Sequence, residues 1–138
     1  MLKKTLLIVL LAVSFAPIGP AQEKSVAKDS RCFEMRTYYP AAGKFEALHA
    51  RFRDHTNKLF VKHGMELVGY WVPTDKEQEQ RLIYILAHKS RDAAKKSWQE
   101  FVNDPDWKKA HRESEANGKL VEKMDVVFMS ATDYSPIK

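Results

Sequence analysis

Cys32-Phe33-Glu34-Met35-Arg36-Thr37-Tyr38-Tyr39-Pro40-Ala41-Ala42-Gly43 is the stretch on which the fold turns. Its side chains alternate in character, and along an extended chain successive Cβ atoms point to opposite faces. Phe33, Met35, Thr37 and Tyr39 therefore share one face, and Cys32, Glu34, Arg36 and Tyr38 share the other. The first set suits a core packed under a helix. The second places a carboxylate, a guanidinium and a phenol within one strand's length, which suits a polar interface or the floor of a pocket. Pro40 and Gly43 then end the strand ahead of a long amphipathic segment.

That segment, residues 44–64, carries Phe45, Leu48, Phe52, Leu59 and Phe60 at helical spacing, with Gly64 as its C-cap. The same stripe holds His49, Thr56 and His63, with His55 at its edge. A polar group left buried and unpaired costs about 1–3 kcal/mol, so these residues need partners or a cavity. For each histidine a satisfied, half-buried side chain is the structural alternative. Residues 65–72 read as a second strand, stopped by Pro73, and 74–80 as a charged connection. Residues 81–88 are almost continuously apolar, as in a strand buried on both faces. Ser90 offers an N-cap to a helix with Ala94, Trp98 and Phe101 on its inner stripe, and Asp92 in its first turn suits the helix dipole. Asp104 and Pro105 supply the cap and first position of a third helical segment, running to about Gly118 along the domain edge. Residues 124–131 form the last strand. The order predicts an α+β fold, a ferredoxin-like βαββαβ subunit with an extra helical segment.

Met1-Leu2-Lys3-Lys4 followed by a short apolar run, Pro17, Gly19 and Pro20 reads as an export signal over residues 1–21, too short for a membrane span. The expected organisation is this signal peptide, a polar lead-in over 22–31, one domain over 32–131 and a tail over 132–138. The chain is then periplasmic or secreted, with no stable membrane span after cleavage. The full sequence has 23 basic and 18 acidic side chains; losing Lys3 and Lys4 leaves 21 and 18, a net charge of +3. Those charges are interspersed, as on a solvated face, and nucleic acid is not expected as a partner. Cys32 is the only cysteine, so no internal disulfide can form. A domain of this size often hides further apolar surface by pairing with a copy of itself.

Phe33-Glu34-Met35-Arg36-Thr37-Tyr38, Gly43, His63-Gly64-Met65 with Val68-Gly69-Tyr70-Trp71, and Ala94 to Trp98 with Phe101 and Asp104-Pro105-Asp106-Trp107 together resemble the NIPSNAP family. The resemblance covers Cys32 to about Ala131. It implies a dimeric α/β barrel, in which two ferredoxin-like subunits pack their sheets together. The wider superfamily holds haem-degrading and cofactor-free monooxygenases, isomerases and haem peroxidases as well as proteins without known activity. It brings no agreed catalytic residues to this sequence.

Glu34, Arg36 and Tyr38 are expected at the dimer interface, with Arg36 as anchor for an acidic ligand the sharper alternative. The expected ligand pocket is lined by His49, Phe52, His55, Thr56, Trp71, Tyr84, His88 and Trp98. His55 and Tyr84 are the candidates for handling a proton. The histidine spacings do not suit a transition metal, and no metal or other cofactor is expected; one axial histidine to haem, from His55 or His88, stays open. For Asp104-Pro105-Asp106-Trp107, capping explains the Asp and the Pro, against a reading as a lid. The leading expectation is an exported homodimer that binds a small apolar or aromatic ligand. The alternatives are a cofactor-independent or haem-dependent monooxygenase and a structural dimerisation domain without a ligand.

Overall fold

A computed structural model describes residues 25–75 and 80–138. The expected export signal over 1–21 lies outside the described residues, as do residues 76–79 of the charged connection. Four strands, β1 (Cys32–Pro40), β2 (Glu66–Trp71), β3 (Leu82–His88) and β4 (Val121–Ser130), form one antiparallel sheet in the order β2-β3-β1-β4. The connections are α1 (Phe45–Arg51), a π-helical turn (Phe52–Thr56) and α2 (Asn57–Lys62) before β2, then α3 (Arg91–Asn103) and α4 (Pro105–Ser114) before β4. This is the expected ferredoxin-like order, with α4 as the additional helix. Among the described residues no helix is long and apolar enough to cross a membrane.

The helices cover one face of the sheet, and it is not the face the alternation in β1 suggests. β1 pairs with β3 so that Glu34 lies beside Leu86, Arg36 beside Tyr84 and Tyr38 beside Leu82. Leu82, Tyr84 and Leu86 are sealed in the core with Leu48, Phe52 and Phe60 of the long helical segment. Neighbouring strands share faces, so β3 carries Glu34, Arg36 and Tyr38 under the helices with it. Each large apolar side chain sealed here is worth about 1.5–3 kcal/mol, and three such residues on β3 outweigh the polarity of β1.

Among the described residues no helix covers the opposite face, which carries Met35, Ile83 and Ile85. There Phe33 and Ala87 pack with Ala27 and Ala131, where the lead-in and the tail cross. The crossing is held by the Ala27 N–H donating to the Ala131 carbonyl at 2.9 Å and by a bridge between Val26 and Thr132. β3 is thus buried on its helix side and only half-buried at Ile83 and Ile85, rather than buried on both faces.

Residues 45–62 are not one regular helix. The Asn57 N–H donates to the Phe52 carbonyl, five residues back, and this wider turn breaks the α-helical phase. Arg51, Phe52 and Thr56 turn inward and are buried, while Asp54 and His55 are left in solvent. The Thr56 hydroxyl donates to the Arg51 carbonyl at 3.2 Å, bracing the wide turn from inside. Gly64, at φ +76°, closes the segment in the left-handed conformation that suits glycine.

Candidate functional site

On the helix-covered face of the sheet the Glu34 carboxylate is sealed, at 0% exposure. Its Oε2 accepts the Trp98 indole N–H at 2.7 Å and a hydrogen bond from His88 Nε2 at 2.9 Å, while its Oε1 accepts Arg36 Nε at 2.7 Å. Three donors from β1, β3 and α3 converge on two oxygens, which is what a sealed charge requires. Burial pushes the Glu34 carboxyl up, but the bonds from His88 and Trp98 and the Arg36 guanidinium together outweigh it, so its pKa lies below the ordinary value. Held in this way, the Arg36 guanidinium lies 3.5 Å from the centre of the Trp98 ring.

The Arg36–Trp98 pair forms one wall of a cleft of about 490 Å³. The cleft opens between the β1–β4 side of the sheet, the π turn, α3 and α4. Its apolar lining comes from Phe52, Trp98, Phe101, Val102, Trp107, Val121 and Met124, and its polar lining from Arg36, Tyr38, Arg51, Thr56, His111, Glu115 and Lys119. Trp98 meets Phe101 edge-on, with ring centres 5.5 Å apart, and Phe101 lies 4.4 Å from Trp107, giving a continuous aromatic wall. Asp104 builds the corner between α3 and α4: its Oδ1 accepts the Asp106 N–H at 2.8 Å, so it does cap α4. Its Oδ2 meets Lys62 at 2.8 Å and His63 Nε2 at 2.7 Å, which ties α2 to that corner. Bonds from Lys62 and His63 hold the Asp104 carboxyl well below the usual carboxylate range.

On the opposite side Arg51, only 5% exposed, donates from Nη1 to Glu115 Oε1 at 3.0 Å and to Ser114 Oγ at 3.4 Å. Its Nε is buried with no hydrogen-bond partner. The Trp107 ring centre lies 5.4 Å from its guanidinium carbon.

The family model for NIPSNAP matches residues 33–136. The chain belongs to the NIPSNAP family. Among solved structures it is similar to a NIPSNAP family protein of unknown function from Agrobacterium tumefaciens, at 22% identity and a TM-score of 0.72 over 83% of this chain and 99% of that one. An uncharacterized NIPSNAP domain protein from Burkholderia xenovorans is similar at 19% identity and a TM-score of 0.65, over 76% and 98% of the two chains. A second Agrobacterium tumefaciens NIPSNAP family protein matches at 22% identity and a TM-score of 0.67, over 78% and 98%. Among curated proteins none matches the chain. At these identities the likeness establishes the NIPSNAP fold and nothing about its ligand.

Within this NIPSNAP domain, Phe52, Thr56 and Trp98 of the eight expected pocket residues line the cleft. Tyr84 lies beneath it, sealed at 0% exposure against Tyr38 and Phe52. Burial pushes its phenol well above the ordinary value, so it stays protonated. His88 stands behind the wall on Glu34, and His49 packs edge-on against Phe45. His55 lies in a separate, charged groove with Lys58, Lys62 and Asp106, because the π turn rotates it out of the stripe. Tyr84 and His55 therefore do not meet in one cavity, and neither His55 nor His88 is among the residues that line the cleft. Trp71 is on the helix-free face, half exposed and folded over Gly69, where a Cβ would come within 2.7 Å of the indole.

Glu34, Arg36 and Tyr38 are corrected from interface residues to wall residues of the cleft and its support, since the register with β3 turns them inward. Sequence reasoning missed Arg51 and accounted for Asp104-Pro105-Asp106-Trp107 by capping, without placing Trp107 in the pocket. Arg51 ends α1 away from the centre of the apolar stripe and is buried because α4 and the residues after it pack over it through Trp107, Ser114 and Glu115. The one sequence signal was Thr56, a polar residue on that stripe.

Proposed function

We propose that this NIPSNAP chain is an exported homodimer that binds a small, flat, largely apolar molecule in the cleft between the sheet and α3 and α4. The observation that carries the reading is the cleft itself. Its volume of about 490 Å³ is that of a small-molecule site, and the Trp98–Phe101–Trp107 wall offers ring faces and edges with few polar groups among them. The arrangement is preformed: Glu34 locks Trp98, and the capped corner at Asp104 locks the start of α4.

The homodimer is supported by the helix-free sheet face. Met35, Ile83, Ile85, Val127, Met129 and Trp71 present apolar side chains there, and Val127 and Trp71 are about half exposed. A second copy placing the same face against it would remove this surface from water on both subunits at once. Export rests on the basic and apolar residues of the first 21 positions.

The test of the cleft uses N-phenyl-1-naphthylamine, a neutral planar fluorophore, titrated into the purified chain. Saturable binding with one site per chain is expected, weakened by Trp107→Ala, a half-buried position at the edge of the core, provided circular dichroism shows the variant folded. Unsaturable partition, or equal binding by the variant, would refute the reading.

A further inference from the structure

We infer that the ligand of this cleft is a planar monocarboxylate, its acid group taken by Arg36 and Arg51 and its ring system laid along the Trp98–Phe101–Trp107 wall. The inference rests on the cleft being the binding site and adds the chemical class of the occupant. Two guanidiniums on opposite walls of one cleft carry donors that the protein does not use well. Arg36 gives its Nε to Glu34, but its Nη1 reaches only Tyr38 Oη at 3.5 Å and Met124 Sδ at 3.3 Å. The first contact is at the limit of hydrogen bonding, and the thioether of the second is a poor acceptor. Arg51 meets one oxygen of Glu115, and the other strong bond of that carboxylate comes from the Leu120 N–H at 3.2 Å, again to Oε1. Its buried Nε has no acceptor at all. A guanidinium has five N–H donors in a planar fork, and leaving part of a buried one unpaired is unfavourable. An added carboxylate would offer a strong acceptor to the guanidiniums that line the two walls.

The charge balance points to a single negative charge. Arg36, Arg51 and Lys119 line the cleft. Glu34 directly behind the wall and Glu115 on it answer two of the three. Glu122 reaches Lys119 at 2.9 Å, but both side chains are more than half exposed, and such surface pairs hold little. His111 also lines the cleft and shares Glu115, at 3.6 Å, so the cleft keeps a net positive charge of about one, centred on Lys119, while Arg36 and Arg51 supply the planar forks that orient the acid. The acid's oxygens meet planar forks, and its body meets aromatic rings that already stack with the two arginines.

The experiment compares 2-naphthoate with 2-naphthamide, which share shape and ring system and differ in charge. Quenching of tryptophan fluorescence gives both dissociation constants on the unaltered protein. The carboxylate is expected to bind at least about tenfold tighter. Its advantage shrinks as salt is raised, and it falls severalfold in Arg51→Gln. Arg51→Lys, which keeps the charge and loses the fork, is expected in between. Equal affinity of the two probes would overturn the inference and leave the cleft reading intact, whereas binding of neither, together with failure of the neutral fluorophore, would overturn both. An unchanged preference in a folded Arg51→Gln protein would remove Arg51 from the site and with it the two-arginine clamp.

Discussion

The Trp98 indole N–H donates to Glu34 Oε2 at 2.7 Å across 64 residues of sequence, and this bond joins the first strand to the wall of the cleft. Glu34 is the acceptor for three side chains from three elements, so its removal leaves Arg36, His88 and Trp98 with buried donors and no partner. Glu34→Ala is expected to lower the unfolding free energy by about 3–5 kcal/mol, the usual consequence of breaking a buried charge pair. Urea unfolding measures it. Glu34→Gln keeps the volume and should lose less, and a loss below about 1 kcal/mol for the alanine variant would contradict the role given to Glu34.

The same carboxylate makes stability depend on acidity in a defined direction. The folded pKa of Glu34 lies below its ordinary 4.5, so between the two values the unfolded chain holds more protons than the folded one. Stability from this group is complete above the ordinary value and is lost as pH falls through the lower, folded one. Asp104, below its ordinary 3.8 because of Lys62 and His63, acts in the same sense at lower pH. Asp104→Asn preserves the helix cap and removes the charge. Thermal melts in steps from neutral to strongly acidic pH should therefore show a shallower acid decline in this variant than in the unaltered protein. A parallel decline in the two would show that the charge of Asp104 does not contribute.

Asp54 occupies the exposed side of the π turn, and deleting it removes the extra residue that the wide turn accommodates. A regular helix would then rotate Arg51 and Phe52 relative to Leu59 and Phe60. Far-ultraviolet circular dichroism should report unchanged helix content, while stability falls by about 1–3 kcal/mol from core misfit. Naphthoate binding is expected to disappear. Retained binding would mean that the π turn does not shape the cleft.

Ile85 sits at the centre of the helix-free face, paired with Met35 on one side and Gly69 on the other. Ile85→Asp puts a charge on a half-buried site that no helix among the described residues covers, and should convert the proposed homodimer to monomers in light scattering. Fluorophore binding in the cleft on the other face should persist. A dimer that survives this substitution would place the contact elsewhere.

The amino-acid sequence by itself determined the α+β fold, the strand and helix order, and the cap at Asp104, because these follow from local periodicity and from Ser, Asp, Pro and Gly at defined positions. It also carried the NIPSNAP resemblance that the family match establishes. Which face of β1 lies under the helices was not decided locally. Phe33 and Met35 read as the core side until pairing with Leu82, Tyr84 and Leu86 assigned Glu34, Arg36 and Tyr38 there. A strand's own alternation defines two faces but not which one is covered; the neighbouring strand's larger burial energy makes that choice. The cleft was legible in Phe52, Thr56 and Trp98 and not in Arg51, since helical phase carries no information about a cover supplied by Trp107, Ser114 and Glu115, more than fifty residues away. The opening strand's carboxylate and guanidinium owe their place beside Trp98 to the tertiary structure alone, which supplies the donors that make a buried Glu34 tolerable.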